Sequence, residues 1–161
     1  MNNTFIRIDN RLVHGQILEG WVPFIKASRI VVVNDEVASD LFQETVIKMA
    51  VPHDIEVLVF GVDEFATDFA QKYNDKKETI VLFKDIDDSL RAFKTGFCFD
   101  RLNIGNVHRD NGSLCCSTSI LLNNRDIENV KYLMNSGVKV EVRCVPRDKP
   151  LDFFDIVKKL K

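Results

Sequence analysis

The chain has 161 residues, 45% of them hydrophobic and 29% charged, and a formal net charge of −2, which fits a single-domain globular protein able to bury a core without disulfide or metal staples. That mild acidity and the lack of any Lys/Arg run give no reason to expect a nucleic-acid binder. No apolar stretch approaches the roughly 18 residues needed to span a bilayer, and Met1-Asn2-Asn3-Thr4 does not open a secretory leader, so a cytoplasmic location is expected.

Thr4 to Ile8 reads as a short apolar strand leading into a polar turn. After that turn the spacing becomes helical, with Val13, Ile17, Leu18, Trp21, Val22 and Ile25 on one face, although Pro23 inside the pattern requires either an early end or a kink. Ile30 to Asn34 is a β-branched run typical of a strand buried on both sides. A helix is predicted over Val37 to Ala50, with Leu41, Phe42, Val46 and Met49 inward and Pro52 as its stop. Ile55–Gly61 reads as strand, Val62–Tyr73 as helix, Thr79–Phe83 as strand, and Asp85–Thr95 as a helix capped by Gly96. Arg101 to Ile104 is a fifth strand, ending at Gly105.

The last third is less regular. Asn106 to Ser113 reads as a polar loop, Leu114 to Leu122 as a stretch containing an edge strand, and Asn124 to Ser136 as a helix closed by Gly137. Val138 to Cys144 alternates as a half-exposed strand should, and a final helix buries Leu151, Phe154, Val157 and Leu160. The order of elements predicts an α/β fold: an open, mostly parallel twisted sheet with helices on both faces and an irregular or antiparallel edge near the C-terminus. No repeat or linker suggests a second domain. Cys98, Cys115, Cys116 and Cys144 lack chelating spacing and read as reduced thiols packed as small apolar residues.

Chemistry concentrates in the first turn, Arg7-Ile8-Asp9-Asn10-Arg11-Leu12-Val13-His14-Gly15-Gln16. His14 and Gly15 fall where a strand has ended and a helix begins, and helix N-termini offer unpaired N–H groups to anions. Arg11 adds a planar fork suited to phosphate oxygens, while Gly15 allows close backbone approach. Residue types alone leave plainer roles open: a capping Asp9, a solvated Arg11, a hydrogen-bonded surface His14. Lys84 and His108 lie in turns that follow strands at the expected ligand-binding edge, and are candidates for supporting positions; His53 reads as a surface residue. No metal site is expected.

This turn, followed by Trp21 and Val33-Asn34-Asp35-Glu36-Val37-Ala38, resembles the IIB components of the mannose/fructose/sorbose branch of bacterial sugar phosphotransferase systems. Leu102-Asn103-Ile104-Gly105-Asn106-Val107-His108 and Val145-Pro146-Arg147-Asp148-Lys149-Pro150 extend the likeness almost to the C-terminus. The resemblance implies that His14 carries a phosphoryl group, on Nδ1, taken from a phosphohistidine of a IIA component and passed to a sugar held by membrane IIC and IID components. It implies catalytic roles for His14 and Arg11, support from Asp9, Gly15 and Gln16, no cofactor, and peripheral membrane association through the permease partners. Homo-oligomerisation is left open. Asn10 stands where the family often has an acid, and the stretch around Gly112-Ser113-Leu114-Cys115 lacks the family's frequent basic residues. The rival reading is a non-catalytic anion sensor or regulatory interaction module on the same fold, although no P-loop or dinucleotide glycine fingerprint supports a nucleotide.

Overall fold

The computed structural model describes residues 3–110, 114–117 and 119–159, with side chains 114–117 left aside. Its centre is β1 (Thr4–Asp9), flanked on both sides by parallel strands, β4 (Thr79–Phe83) and β5 (Arg101–His108). Beyond β4 lie β2 (Arg29–Val33) and β3 (Glu56–Phe60), also parallel. β5 is shared: Arg101 to Ile104 pair in parallel with β8 (Lys139–Val142), and Val107 and His108 with β7 (Ile120–Leu122). Antiparallel partners β6 (Leu114–Ser117) and β9 (Leu151–Asp152) finish the two branches. The order is β3-β2-β4-β1-β5-β7-β6, with β8 and β9 branching from β5, so the expected parallel sheet with an antiparallel C-terminal margin is present.

Side-chain alternation along these strands feeds a core on each face. On one face Ile6, Val31, Val33, Val81, Phe83, Leu102 and Ile104 pack beneath α4 (Val62–Lys72), α5 (Ile86–Thr95), α6 (Asn124–Asn135) and α7 (Phe153–Lys159). On the other, Ile30, Val32, Ile80 and Leu82 meet Ile17, Trp21 and Val37 from the first helical segments.

Several expectations need correction. The first helix does not end at about Gly20 to Val22: Gln16–Trp21 is π-helical and passes into α1 (Val22–Ile25), which puts Pro23 in the first turn of the α segment, where its missing N–H costs least. The helix predicted over Val37–Ala50 is two, α2 (Asp35–Ala38) and α3 (Leu41–Ala50). Asp40 breaks it by taking an extended conformation and accepting from the Phe42 and Gln43 N–H groups. The reset turns Leu41, Phe42, Val46 and Met49 outward, 49–80% exposed, and leaves Ile47 to pack against the sheet. β5 does not end at Gly105 but continues to His108, so Asn106 to His108 belong to strand rather than loop. In the final helix the fully buried residue is Phe153, while Leu151 and Phe154 are exposed because Leu151 is held in β9; Leu160 lies outside the described residues. Cys98 is exposed and Cys144 half-buried, both free thiols rather than core fillers; the side chains of Cys115 and Cys116 lie outside the described residues.

Candidate active site

The site is built on a single carboxylate oxygen. Asp9 is the last residue of β1 and fully buried. Its Oδ2 lies 2.8 Å from His14 Nε2, and accepts from Arg7 Nε at 3.2 Å, Arg7 Nη2 at 3.0 Å and Asn106 Nδ2 at 2.9 Å. Its Oδ1 accepts the Arg11 backbone N–H at 3.0 Å, and its carbonyl accepts from Leu12 N–H at 3.0 Å. The same side chain therefore folds the turn and tethers the histidine at its end, as Asp does in tight turns. Leu12 closes that turn buried and at φ 58, a left-handed conformation costing about 1–2 kcal/mol for a side chain with a β-carbon.

Arg7 supports Asp9 from beneath. Two residues apart in one strand, both side chains fall on the same face. The guanidinium is fully buried and also donates to Asn103 Oδ1 at 2.7 Å and to the carbonyls of Arg143 and Cys144, each at 2.9 Å. The Trp21 ring covers it at 5.1 Å and donates from Nε1 to the same Cys144 carbonyl. Burial pushes the Asp9 carboxyl up, but hydrogen bonding from His14, the charge of Arg7 and the Asn106 amide outweigh it and hold the group below its ordinary value.

An ionised carboxylate can only accept, so the His14 nitrogen facing it carries the hydrogen. The neutral ring then keeps its lone pair on Nδ1, and Nδ1 has no hydrogen-bond partner among the described residues. In its neutral form the ring therefore has a fixed tautomer, with Nδ1 unprotonated and buried.

The remaining anticipated residues fall in different places. Arg11 is exposed and its side chain forms no ion pair or hydrogen bond among the described residues. Gly15 is exposed, and a β-carbon there would meet nothing within 4 Å. Gln16 accepts from Asn106 Nδ2 at 3.0 Å, so that amide bridges it to Asp9. Lys84 pairs instead with Glu36 at 3.6 Å, and His108 is exposed at the end of β5; neither bonds to His14, Asp9 or Arg11. Sequence reasoning missed Arg7, Asn103, Asn106, Trp21 and the Arg143–Cys144 carbonyls. A signal existed for Arg7: a charge in mid-strand between two neighbours must be buried, and so must be paired.

Beside Gly15 and Gln16 an open groove of about 530 Å³ runs between Phe24 and Pro146-Arg147. No three His, Cys, Asp or Glu side chains gather as a metal site among the described residues.

The chain is thus an α/β protein with an open, mostly parallel sheet and a carboxylate-tethered histidine just past the end of its central strand. The family model for the PTS system sorbose subfamily IIB component matches residues 3–161, and the chain belongs to that family. It is 30% identical to the PTS fructose-specific EIIB component of Bacillus subtilis over 98% of this chain and 97% of that one. It is 31% identical to the N-acetylgalactosamine-specific phosphotransferase enzyme IIB component 2 of Escherichia coli, over 97% and 99% respectively. Among solved structures, manxB from Thermoanaerobacter tengcongensis superposes with a TM-score of 0.87 at 31% identity, covering 96% of this chain and 94% of its own. The IIBSor domain of the sorbose permease from Klebsiella pneumoniae does so with a TM-score of 0.86 at 28% identity, covering 98% and 96%. The mannose-specific EIIAB component of Escherichia coli matches 96% of this chain with 48% of its length at 29% identity. Among the described residues no helix is long and apolar enough to cross a membrane.

Proposed function

We propose that this chain is a phosphoryl carrier that accepts the group on His14 from a phosphohistidine of a IIA component and delivers it to a sugar held by membrane IIC and IID components. The observation that carries this reading is the Asp9–His14 bond of 2.8 Å, which occupies Nε2 and leaves Nδ1 unpartnered. The Nδ1 lone pair attacks phosphorus, the P–N bond of the donor breaks with its electron pair returning to the donor imidazole, and the Nε2 proton stays beside Asp9. In delivery the sugar hydroxyl attacks, the Nδ1–P bond breaks with its electron pair returning to Nδ1, and the hydroxyl proton is released to solvent. A proton retained on Nε2 makes the imidazole a neutral leaving group. Arg11, whose side chain has no partner among the described residues, is free to grip the phosphoryl oxygens, and the open space at Gly15 admits a partner surface. Nδ1 is itself buried, so acceptance requires that it be uncovered.

Relatives named for fructose, N-acetylgalactosamine, mannose and sorbose match with 28–31% identity, so no single sugar is carried over to this chain. The permease partners, rather than the chain's own surface, bring it to the membrane in this reading. The test is incubation with phosphoenolpyruvate, the general phosphocarriers and a IIA donor, followed by intact-mass analysis. One acid-labile phosphoryl group is expected, lost in His14→Ala and retained in His53→Ala and His108→Ala. Labelling that survives His14→Ala would sink the assignment.

A further inference from the structure

A carboxylate beside an imidazole does two things at once. It fixes the tautomer by accepting from one ring nitrogen, and it stabilises the imidazolium, which has no lone pair left for attack. Asp9 needs the first effect for the reaction proposed above, and the second works against it. The Oδ2 atom that faces His14 is also the one gripped by both Nε and Nη2 of Arg7. We propose that Arg7 is a positioning residue whose guanidinium balances the charge of Asp9 at this shared oxygen, so that Asp9 sets the tautomer of His14 without drawing a second proton onto the ring.

The placement of Arg7 serves that task. A guanidinium stays protonated when buried, whereas an ammonium readily loses its charge there. Its remaining N–H groups are taken by Asn103 Oδ1 and the Arg143 and Cys144 carbonyls, so the cation is fully bonded, and the Glu141 carboxylate, which accepts from Asn103 Nδ2 at 3.1 Å, is kept one side chain away from it. Gly105 makes the space: a β-carbon at that position would lie 1.9 Å from Arg7 Cζ. Every other group around the pair is neutral or remote from Oδ2. Asn106 from β5 and Gln16 from the π-helical segment are amides. The Cys144 thiol lies 3.6 Å from Gln16 Oε1. Arg143 rests over the Trp21 ring at 5.4 Å, and the Arg11 side chain is exposed. Among the described residues, Arg7 is the one permanent cation bonded to the Asp9 side chain. Asp9 is held ionised below its ordinary value with the charge of Arg7 among the causes.

This inference rests on His14 as the acceptor, but its test reads the imidazole itself and needs no phosphoryl donor. Nitrogen-15 NMR of the His14 ring is followed against pH in the parent protein, Arg7→Gln, Asp9→Asn and the double variant Arg7→Gln/Asp9→Asn. In Arg7→Gln the ring should take its second proton at least one pH unit higher than in the parent, because an opposite charge at such range shifts a group by about 1–3 units. The neutral fraction at the pH of the parent's midpoint then falls about fivefold or more. Asp9→Asn should move the midpoint the other way, with Arg7 left unbalanced, and the double variant should return towards the parent. If Arg7→Gln fails to fold, the comparison of Asp9→Asn with the double variant decides, since neither leaves a buried carboxylate alone. A folded Arg7→Gln with the parent's midpoint would overturn the proposal, as would a double variant that titrates like Asp9→Asn. Failure of the parent protein to accept a phosphoryl group, with these midpoints as expected, would count against the carrier reading and leave the charge balance standing.

Discussion

At Gly105 a β-carbon would lie 1.9 Å from Arg7 Cζ and 2.1 Å from Nη2, and the guanidinium has no empty direction to retreat into. Gly105→Ala should therefore destabilise the fold by about 3 kcal/mol through overpacking and a strained ion pair, read as a lowered urea midpoint. An unchanged midpoint would mean that Arg7 has other room. Arg11 should behave in the opposite way. Because Arg11 is exposed and its side chain has no partner among the described residues, its change to Ala should leave thermal melting as it was, while transfer to sugar with permease-containing membranes slows about a hundredfold, near 3 kcal/mol; Arg11→Lys should recover only part of this, lacking the fork. Normal melting with parental transfer rates would remove Arg11 from the mechanism. These two arginines also show what the chain reveals by itself. Arg11, His14, Gly15 and Gln16 lie in one short stretch, so the sequence alone shows them as neighbours. Apart from Asp9, the partners of Arg7 lie at Asn103, Arg143 and Cys144, brought in by long-range packing that no local pattern encodes.

Elements divide along the same line. Buried parallel strands such as Arg29–Val33 and Thr79–Phe83 are legible because continuous β-branched and apolar runs have few other uses. Helical periodicity says which residues share a face, but not where that face points. In α3 the shared face of Phe42, Val46 and Met49 points to solvent, because Asp40 restarts the helix after α2. Gly105 was legible as an interruption but not as its kind: it admits a side chain from β1 while β5 runs on to His108. The outward stripe of α3 makes a stability prediction contrary to its composition. Phe42→Gln and Met49→Gln should each change unfolding free energy by no more than about 0.5 kcal/mol, as surface substitutions do. Phe65→Ala, within the aromatic cluster on the other face and fully buried, should cost about 3–5 kcal/mol. Urea titration of all three checks the contrast; a core-sized loss in Phe42→Gln would place that side chain inside.

For the whole molecule, the carboxyl edge of the sheet carries two opposed charge environments. Around β1 the carboxylate Asp9 is depressed and paired. Past β4, at the start of α5, Asp88 has the reverse situation. Burial and the nearby Asp85 and Asp35 charges push its carboxyl from 3.8 up to about 6, with Arg91 and an Asn34 hydrogen bond offsetting only part. The sign of its effect on stability follows from proton counting. Below about 4 Asp88 is neutral in both folded and unfolded chains. Between about 4 and 6 the folded chain holds a proton that the unfolded chain has released, so stability falls as pH rises, and above about 6 the loss is complete. Depressed carboxylates act in the other direction: Asp75, held down to about 2 first by hydrogen bonding to Arg29, adds stability that disappears only in stronger acid. Asp88→Asn removes the titrating group and keeps the shape. The difference in melting temperature between this variant and the parent should be nearly flat below pH 4, grow in the variant's favour up to about pH 6, and stay constant beyond. After discounting for the partial exposure of Asp88, its size should be on the order of 1 kcal/mol, or about 2–4 °C for a chain of this length. Calorimetry from pH 3.5 to 8 gives the curve directly. A difference that does not change across the interval from 4 to 6 would show that the Asp88 carboxyl titrates at the same pH folded as unfolded.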